Sequence, residues 1–279
     1  MFHISRISCG LYSTNTIYFL PPTSYFVRAV RLTRPSVSCT IRIDPEKRAV
    51  IEGKRGRNSM AEKPLNTTEH APMAMLLSIL GGAMDGYSYS VRGGVFATGQ
   101  TGNLIIFSYS LVHGQQERAI RAFFPILGFW VGIFAAQWML NRLSARWQVR
   151  NWKRVVLLAE AAVLFCVGWI PDSVTDMIPN SIIALLAAMQ FSSFKKIGDR
   201  YAYASVFCTG NMRSCAELYY QGLIEKNREA LGRALQYTGI LLSFLAGAIV
   251  SMKCGEWLGE KSIWLGSAMA LLCSVFIQP

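Results

Sequence analysis

Eight apolar runs follow one another near residues 72–90, 95–112, 119–140, 154–170, 181–194, 202–221, 234–252 and 262–278. Several approach the ~20 residues that a helix needs to cross a bilayer. In hydrocarbon every backbone N–H and C=O must find its partner inside the chain, so such runs are restricted to helices or closed barrels. The expected fold is therefore an all-α integral membrane protein with six to eight transmembrane helices. Composition agrees: 52% of residues are hydrophobic and 16% charged, where a soluble domain is about a quarter charged.

The third, fourth, seventh and eighth runs are the most uniform. The first and fifth are interrupted by polar residues, in Gly81-Gly82-Ala83-Met84-Asp85-Gly86 and in Ala188-Met189-Gln190. These interruptions belong to an internal repeat. Thr101-Gly102-Asn103 recurs as Thr209-Gly210-Asn211, and Ala83-Met84-Asp85 as Ala188-Met189-Gln190. Arg118-Ala119-Ile120 followed by Phe129 and Gly132 recurs as Arg233-Ala234-Leu235 followed by Phe244 and Gly247. The order and spacing of these matches predict two copies, at about 79–140 and 187–252, because an internal duplication organises a fold more firmly than hydropathy does.

Charge is unevenly placed. Residues 1–59 hold ten Lys or Arg against three acids, so +7 of the net +12 lies ahead of the first run. Residues 1–71 are expected to be a basic, disordered tail, and 72–279 the transmembrane domain. Residues 1–43 contain no acid and are rich in Ser, Thr and Arg, the composition of an organelle transit peptide; a start at Met60 is the competing reading. The basic loop from Asn141 to Arg154 should face the cytoplasm, and Pro171 to Asp176, with acids and no Lys or Arg, the other side. Counting back through three full crossings puts the N-terminal end outside, against the pull of Lys63. If the first two runs of each copy form one broken or re-entrant crossing, that conflict disappears and the repeats become inverted.

The segments Asp85-Gly-Tyr, Gly93-Gly94-Val-Phe-Ala, Gln100-Thr101-Gly102-Asn103, Leu158-Ala-Glu160-Ala, Ala188-Met189-Gln190 and Phe207-Cys-Thr209-Gly210-Asn211 resemble the YoaK-like family of multi-pass membrane proteins (domain of unknown function 1275). The resemblance covers about residues 75–278. It implies a plasma (inner) membrane protein of bacterial type with no established substrate, and it favours Met60 as the start. A mitochondrial inner membrane is the alternative if the tail is a transit peptide. Phe191 stands where family members often carry Asn, which removes a polar contact from that position.

An ionisable residue inside a spanning segment marks a candidate functional group. Asp85, Glu160, Arg213 and Glu217 qualify. Asp85 lies among helix-weakening glycines, and its counterpart Gln190 is neutral. It is read as a cation- or proton-binding carboxylate, as the cap of a broken helix, or as a partner of Arg92 near an interface. Arg213 and Glu217, four apart, form an ion pair on one helix face. Glu160 reaches the interface or a neighbouring helix. In each Thr-Gly-Asn, Gly permits a backbone break while Thr and Asn bond the groups thus freed or hold a small ligand; close helix packing is the other reading.

The function expected is a transporter or permease for a small solute or coupling ion, with a site built from Asp85, Thr101, Gly102, Asn103, Gln190, Thr209, Gly210 and Asn211. A non-transporting membrane scaffold or assembly factor is the alternative. No metal-ligand spacing, nucleophile motif or phosphate loop is present, so neither an enzyme nor a cofactor is expected. The seven cysteines lie without C-x-x-C or Cys/His clustering and read as packing residues. The expected partner is the lipid bilayer, with self-association possible in principle and no nucleic acid.

Overall fold

The computed structural model describes residues 71–146, 152–194, 196–197, 201–206 and 208–277. The expectations for the basic tail lie outside the described residues. Among the described residues the regular structure is helical apart from one two-residue ladder, in which Lys196 pairs with Ala202 and Ile197 with Tyr201. Helix α1 spans Ala71–Val91, α2 Gln100–Val112, α3 Gln116–Arg146 and α4 Trp152–Val167. Helix α5 spans Met177–Ser193, α6 Cys208–Leu223 and α7 Arg228–Leu258. A 3-10 turn at Gly259–Ile263 leads into α8, Trp264–Phe276.

The second and sixth apolar runs are only partly helical. Gly93 and Gly94 both have positive φ, a region open to glycine at little cost, and the chain stays non-helical from there to Gly99. Likewise Tyr203–Val206 approaches α6 outside any helix. Helices α2 and α6 are consequently short, 13 and 16 residues, whereas α3 and α7 each run for 31.

Glycines set which helices meet. A Cβ on Gly82 would collide with the Phe244 carbonyl, one on Gly86 would stand 2.6 Å from the Ala248 oxygen, and one on Gly255 would stand 2.8 Å from Val91. Positions thus ascend together, so α1 and α7 are packed backbone to backbone and parallel. Gly128 meets the Ser181 carbonyl and Gly132 that of Leu185, which makes α3 and α5 a second parallel pair. By contrast α4 and α8 are antiparallel: Ser267 donates to the Ala161 carbonyl at 2.7 Å and the Trp264 indole to that of Phe165 at 3.1 Å. Helices α1 and α5 are also antiparallel, Gln190 donating to the Leu77 carbonyl and Asn180 to that of Arg92.

The core lies between α1, α4, α5 and α8, with Leu80, Met84, Leu164, Ile183 and Ala270 fully buried. Outward faces remain apolar: Trp130, Phe134 and Trp138 on α3, and Leu242, Leu245 and Ile249 on α7, are exposed. Two helical stretches, Gln116–Arg142 and Arg228–Phe276, are long and apolar enough to cross a membrane by length and composition.

Candidate functional site at the junction of the short helices

The break before α2 leaves the Phe96 peptide without helical partners, a serious cost in apolar surroundings. Asn103, in the first turn of α2, answers it. Its Oδ1 accepts from Phe96 N–H at 2.8 Å and its Nδ2 donates to the Phe96 carbonyl at 2.6 Å. Asn211 does the same for Ala204, at 3.1 and 2.7 Å. Each Asn reaches back seven residues, and both are buried. An amide side chain offers a donor and an acceptor side by side, which is what the N–H and C=O of a single residue outside a helix need.

Asp85 is buried on α1 and faces the same junction. One carboxylate oxygen accepts from Thr98 N–H at 2.7 Å and the other lies 2.6 Å from Thr98 Oγ1. That hydroxyl is also 2.9 Å from the Val206 carbonyl. Thr98 thereby ties the segment before α2 to the segment before α6. Ser88 Oγ accepts from Ala97 N–H at 3.0 Å, so the turn below α2 is held from α1 at two points.

The structure brings together Asp85 and Asn103 at the first break, and holds Asn211 in a clamp of the same form at the second. Gln190 lies apart from Asp85's network, with Nε2 on the Leu77 carbonyl at 3.1 Å and Oε1 without a partner. Thr101, Thr209 and Gly210 are exposed and outside the junction. Gly102 backs onto the Phe96 ring, where a Cβ would stand 2.7 Å from a ring carbon. Arg213 and Glu217 form an ion pair at 2.8 Å on an exposed face. Glu160 is buried, and among the described residues neither of its oxygens has a hydrogen-bond partner.

Arg92 does not pair with Asp85. It is fully buried, donates to Tyr87 Oη at 2.8 Å and to the Ile170 carbonyl at 2.6 Å, and lies 3.8 Å from Asp176. Arg121 approaches Asp176 from the other side at 3.9 Å. Burial raises the Asp176 carboxyl above its ordinary range, opposed by the two guanidinium charges. A surface cleft of about 410 Å³ near this end is lined by Gly93, Gln115, Gln116, Glu117, Arg118 and Arg121. None of the candidates read from sequence lines it.

Sequence reasoning missed Thr98, Phe96 and Ala204. Thr98 was signalled by a doubled Thr-Gly in Thr98-Gly99-Gln100-Thr101-Gly102. Phe96 and Ala204 act only through backbone atoms, which residue type does not reveal. Among the described residues no group of His, Cys, Asp or Glu could hold a metal ion.

The sequence model of the family described as "Protein of unknown function (DUF1275)" matches residues 73–276. The chain belongs to that family. The YoaK-like resemblance points to the same family. No curated protein and no solved structure matches this DUF1275 protein. Both Asn clamps and the Asp85–Thr98–Val206 contact fall inside the matched region of the DUF1275 protein.

Proposed function

We propose that this DUF1275 protein is a multi-pass membrane permease for a small solute, built from two inverted copies of one unit, with the Asp85–Thr98–Val206 contact as its gate. The observation that carries the reading is the meeting of two short helices, each opened by an Asn-clamped break, through Thr98 and Val206. With Thr101-Gly102-Asn103 aligned on Thr209-Gly210-Asn211, Thr98 and Val206 are equivalent positions. Equivalent positions meet only at an axis of pseudo-symmetry.

Helix directions support the inversion. Helices α1, α3, α4, α5, α7 and α8 make six crossings, and α2 and α6 are half-crossings. The basic end of α3 and start of α4 favour a cytoplasmic beginning for α1 and an opposite one for α5. The swapped pairing, α1 with α7 and α5 with α3, is what an in-plane two-fold produces. Paired discontinuous helices whose starts meet inside the bundle are a recurrent way to build a transport site.

Donor counting makes the junction a switch. Thr98 Oγ1 has one proton and two neighbouring acceptors, Asp85 Oδ2 and the Val206 carbonyl. If Asp85 is ionised, the hydroxyl serves the carboxylate and Val206 is released. If Asp85 carries a proton, it donates to Thr98, which donates to Val206, and the two copies are latched. Asp85→Asn supplies a permanent donor and mimics the latched state.

The test is flux into proteoliposomes of the full chain, measured by osmotic swelling against a panel of small neutral and cationic solutes. Flux of at least one solute above empty vesicles is expected, lost in Asp85→Asn without loss of thermal stability. No flux from the wild type for any solute on the panel sinks the permease.

The scaffold reading draws on a different observation: the polar atoms of Asp85, Asn103 and Asn211 are already bonded within the chain. It expects Asn103→Ala to weaken folding or assembly while flux is never found. Localisation to a plasma membrane and the absence of catalysis belong with either reading.

A further inference from the structure

We propose that Glu160 is a proton-exchange site, carrying its proton in the closed arrangement and releasing it to water when α4 and α8 separate. Its side chain is 1% exposed in the middle of α4. Neither oxygen has a partner among the described residues. A buried acid kept for structure donates its O–H to a fixed acceptor, and an ionised one is paired. Glu160 does neither, so packing gains nothing from it that an apolar side chain would not supply.

The surroundings are short of donors. Leu157, one turn before Glu160, packs in one cluster with Leu77 of α1 and Cys273 of α8. In that cluster the Leu77 carbonyl takes the Gln190 amide donor. Among the described residues no donor reaches either Glu160 oxygen, so the carboxyl fits a proton.

The charged and titratable groups nearby do not compete for it. On α8 the Cys273 thiol lies within electrostatic reach. On α1 Asp85 is engaged by Thr98. On α4 Lys153 lies over the Phe194 ring at 5.5 Å, and Arg154 is exposed. Arg142 of α3 is exposed, and Glu260 and Lys261 lie in the turn before α8. Helix α5 places Gln190 there and no charge.

Release breaks the Glu160 O–H bond. The electron pair stays on the carboxylate and the proton passes to a water admitted between α4 and α8. The site does not depend on solute transport, so its test uses no flux.

Purified full-length protein in detergent is treated with dicyclohexylcarbodiimide, which attacks protonated carboxyls in apolar surroundings. The proton moves to a carbodiimide nitrogen as the carboxylate oxygen bonds the central carbon, and the adduct rearranges without a leaving group to a stable N-acylurea. Mass spectrometry is expected to place the label on Glu160, falling about tenfold per pH unit on the alkaline side of its midpoint. Glu160→Gln should lose the label and Asp85→Asn keep it. Infrared spectra of the wild type, which need no variant, should show a protonated carboxyl C=O band that shifts on alkalinisation. Absence of both label and band overturns the proposal, as does labelling confined to Asp85. Protection by sodium at fixed pH overturns the proton in favour of a metal cation.

Discussion

The two junction segments solve one backbone problem in the same way and differ in what stands beside it. Before α2, the Phe96 peptide is held by Asn103; before α6, the Ala204 peptide is held by Asn211. Beside the first clamp are Asp85 and the Thr98 hydroxyl, whereas three residues before Thr209, as Thr98 is before Thr101, stands the apolar Val206. Thr98 can therefore bond both Asp85 and the opposite copy, while Gln190 turns away to Leu77. The clamps supply the architecture twice. The Asp85 carboxylate stands beside the first, so the two junctions share a backbone device and differ in their chemistry.

The largest expected effect comes from removing a clamp. Asn103→Ala strips a donor and an acceptor from the Phe96 peptide, and each orphaned group costs about 1–3 kcal/mol. A loss of roughly 3 kcal/mol or more is expected, read as a fall in the thermal midpoint of the detergent-solubilised protein. Asn211→Ala should cost less, since its Ala204 N–H contact is longer, 3.1 against 2.8 Å, and Asn103 has a further bond to Gln100 at 3.0 Å. A larger loss at Asn211 would break the ranking of the two junctions.

Thr98→Val comes next, because it makes the first junction resemble the second. It leaves the Val206 carbonyl without its donor and Asp85 without its hydroxyl partner, for a cost of about 1–3 kcal/mol. Thr98→Ser should restore most of it. If Thr98→Val and Thr98→Ser melt alike, the hydroxyl does not link the copies.

Much of this was legible in the sequence, and for identifiable reasons. The apolar runs located every helix because burial in lipid or core and helical length leave the same composition. The doubled Thr-Gly-Asn singled out the two segments around which the chain breaks. Asp85 stood out because a carboxylate in an apolar run needs a partner, yet the partner was misjudged: Arg92, nearest in sequence, lies past the helix end and turns to Tyr87 and Ile170. The outcome for Thr101 and Thr209 has a helical cause. Two residues before the clamping Asn, they point to the other side of the first turn, where they are exposed. Glu160's isolation was beyond the sequence, since a missing partner is a property of three neighbouring helices and of no motif.

Gln190→Leu should have the smallest effect and is the sharpest probe of the difference between Asp85 and Gln190. It removes one bond of 3.1 Å to the Leu77 carbonyl. It also removes an amide oxygen that is buried without a partner. The Leu77 carbonyl lies inside α1, where the helix supplies its own donor. Loss of the one and relief of the other should leave stability within about 1 kcal/mol of the wild type. Asp85→Leu, at the equivalent position, leaves Thr98 and its amide facing a hydrocarbon chain and should cost clearly more. If Gln190→Leu proves as damaging, its bare oxygen has a donor in the folded protein.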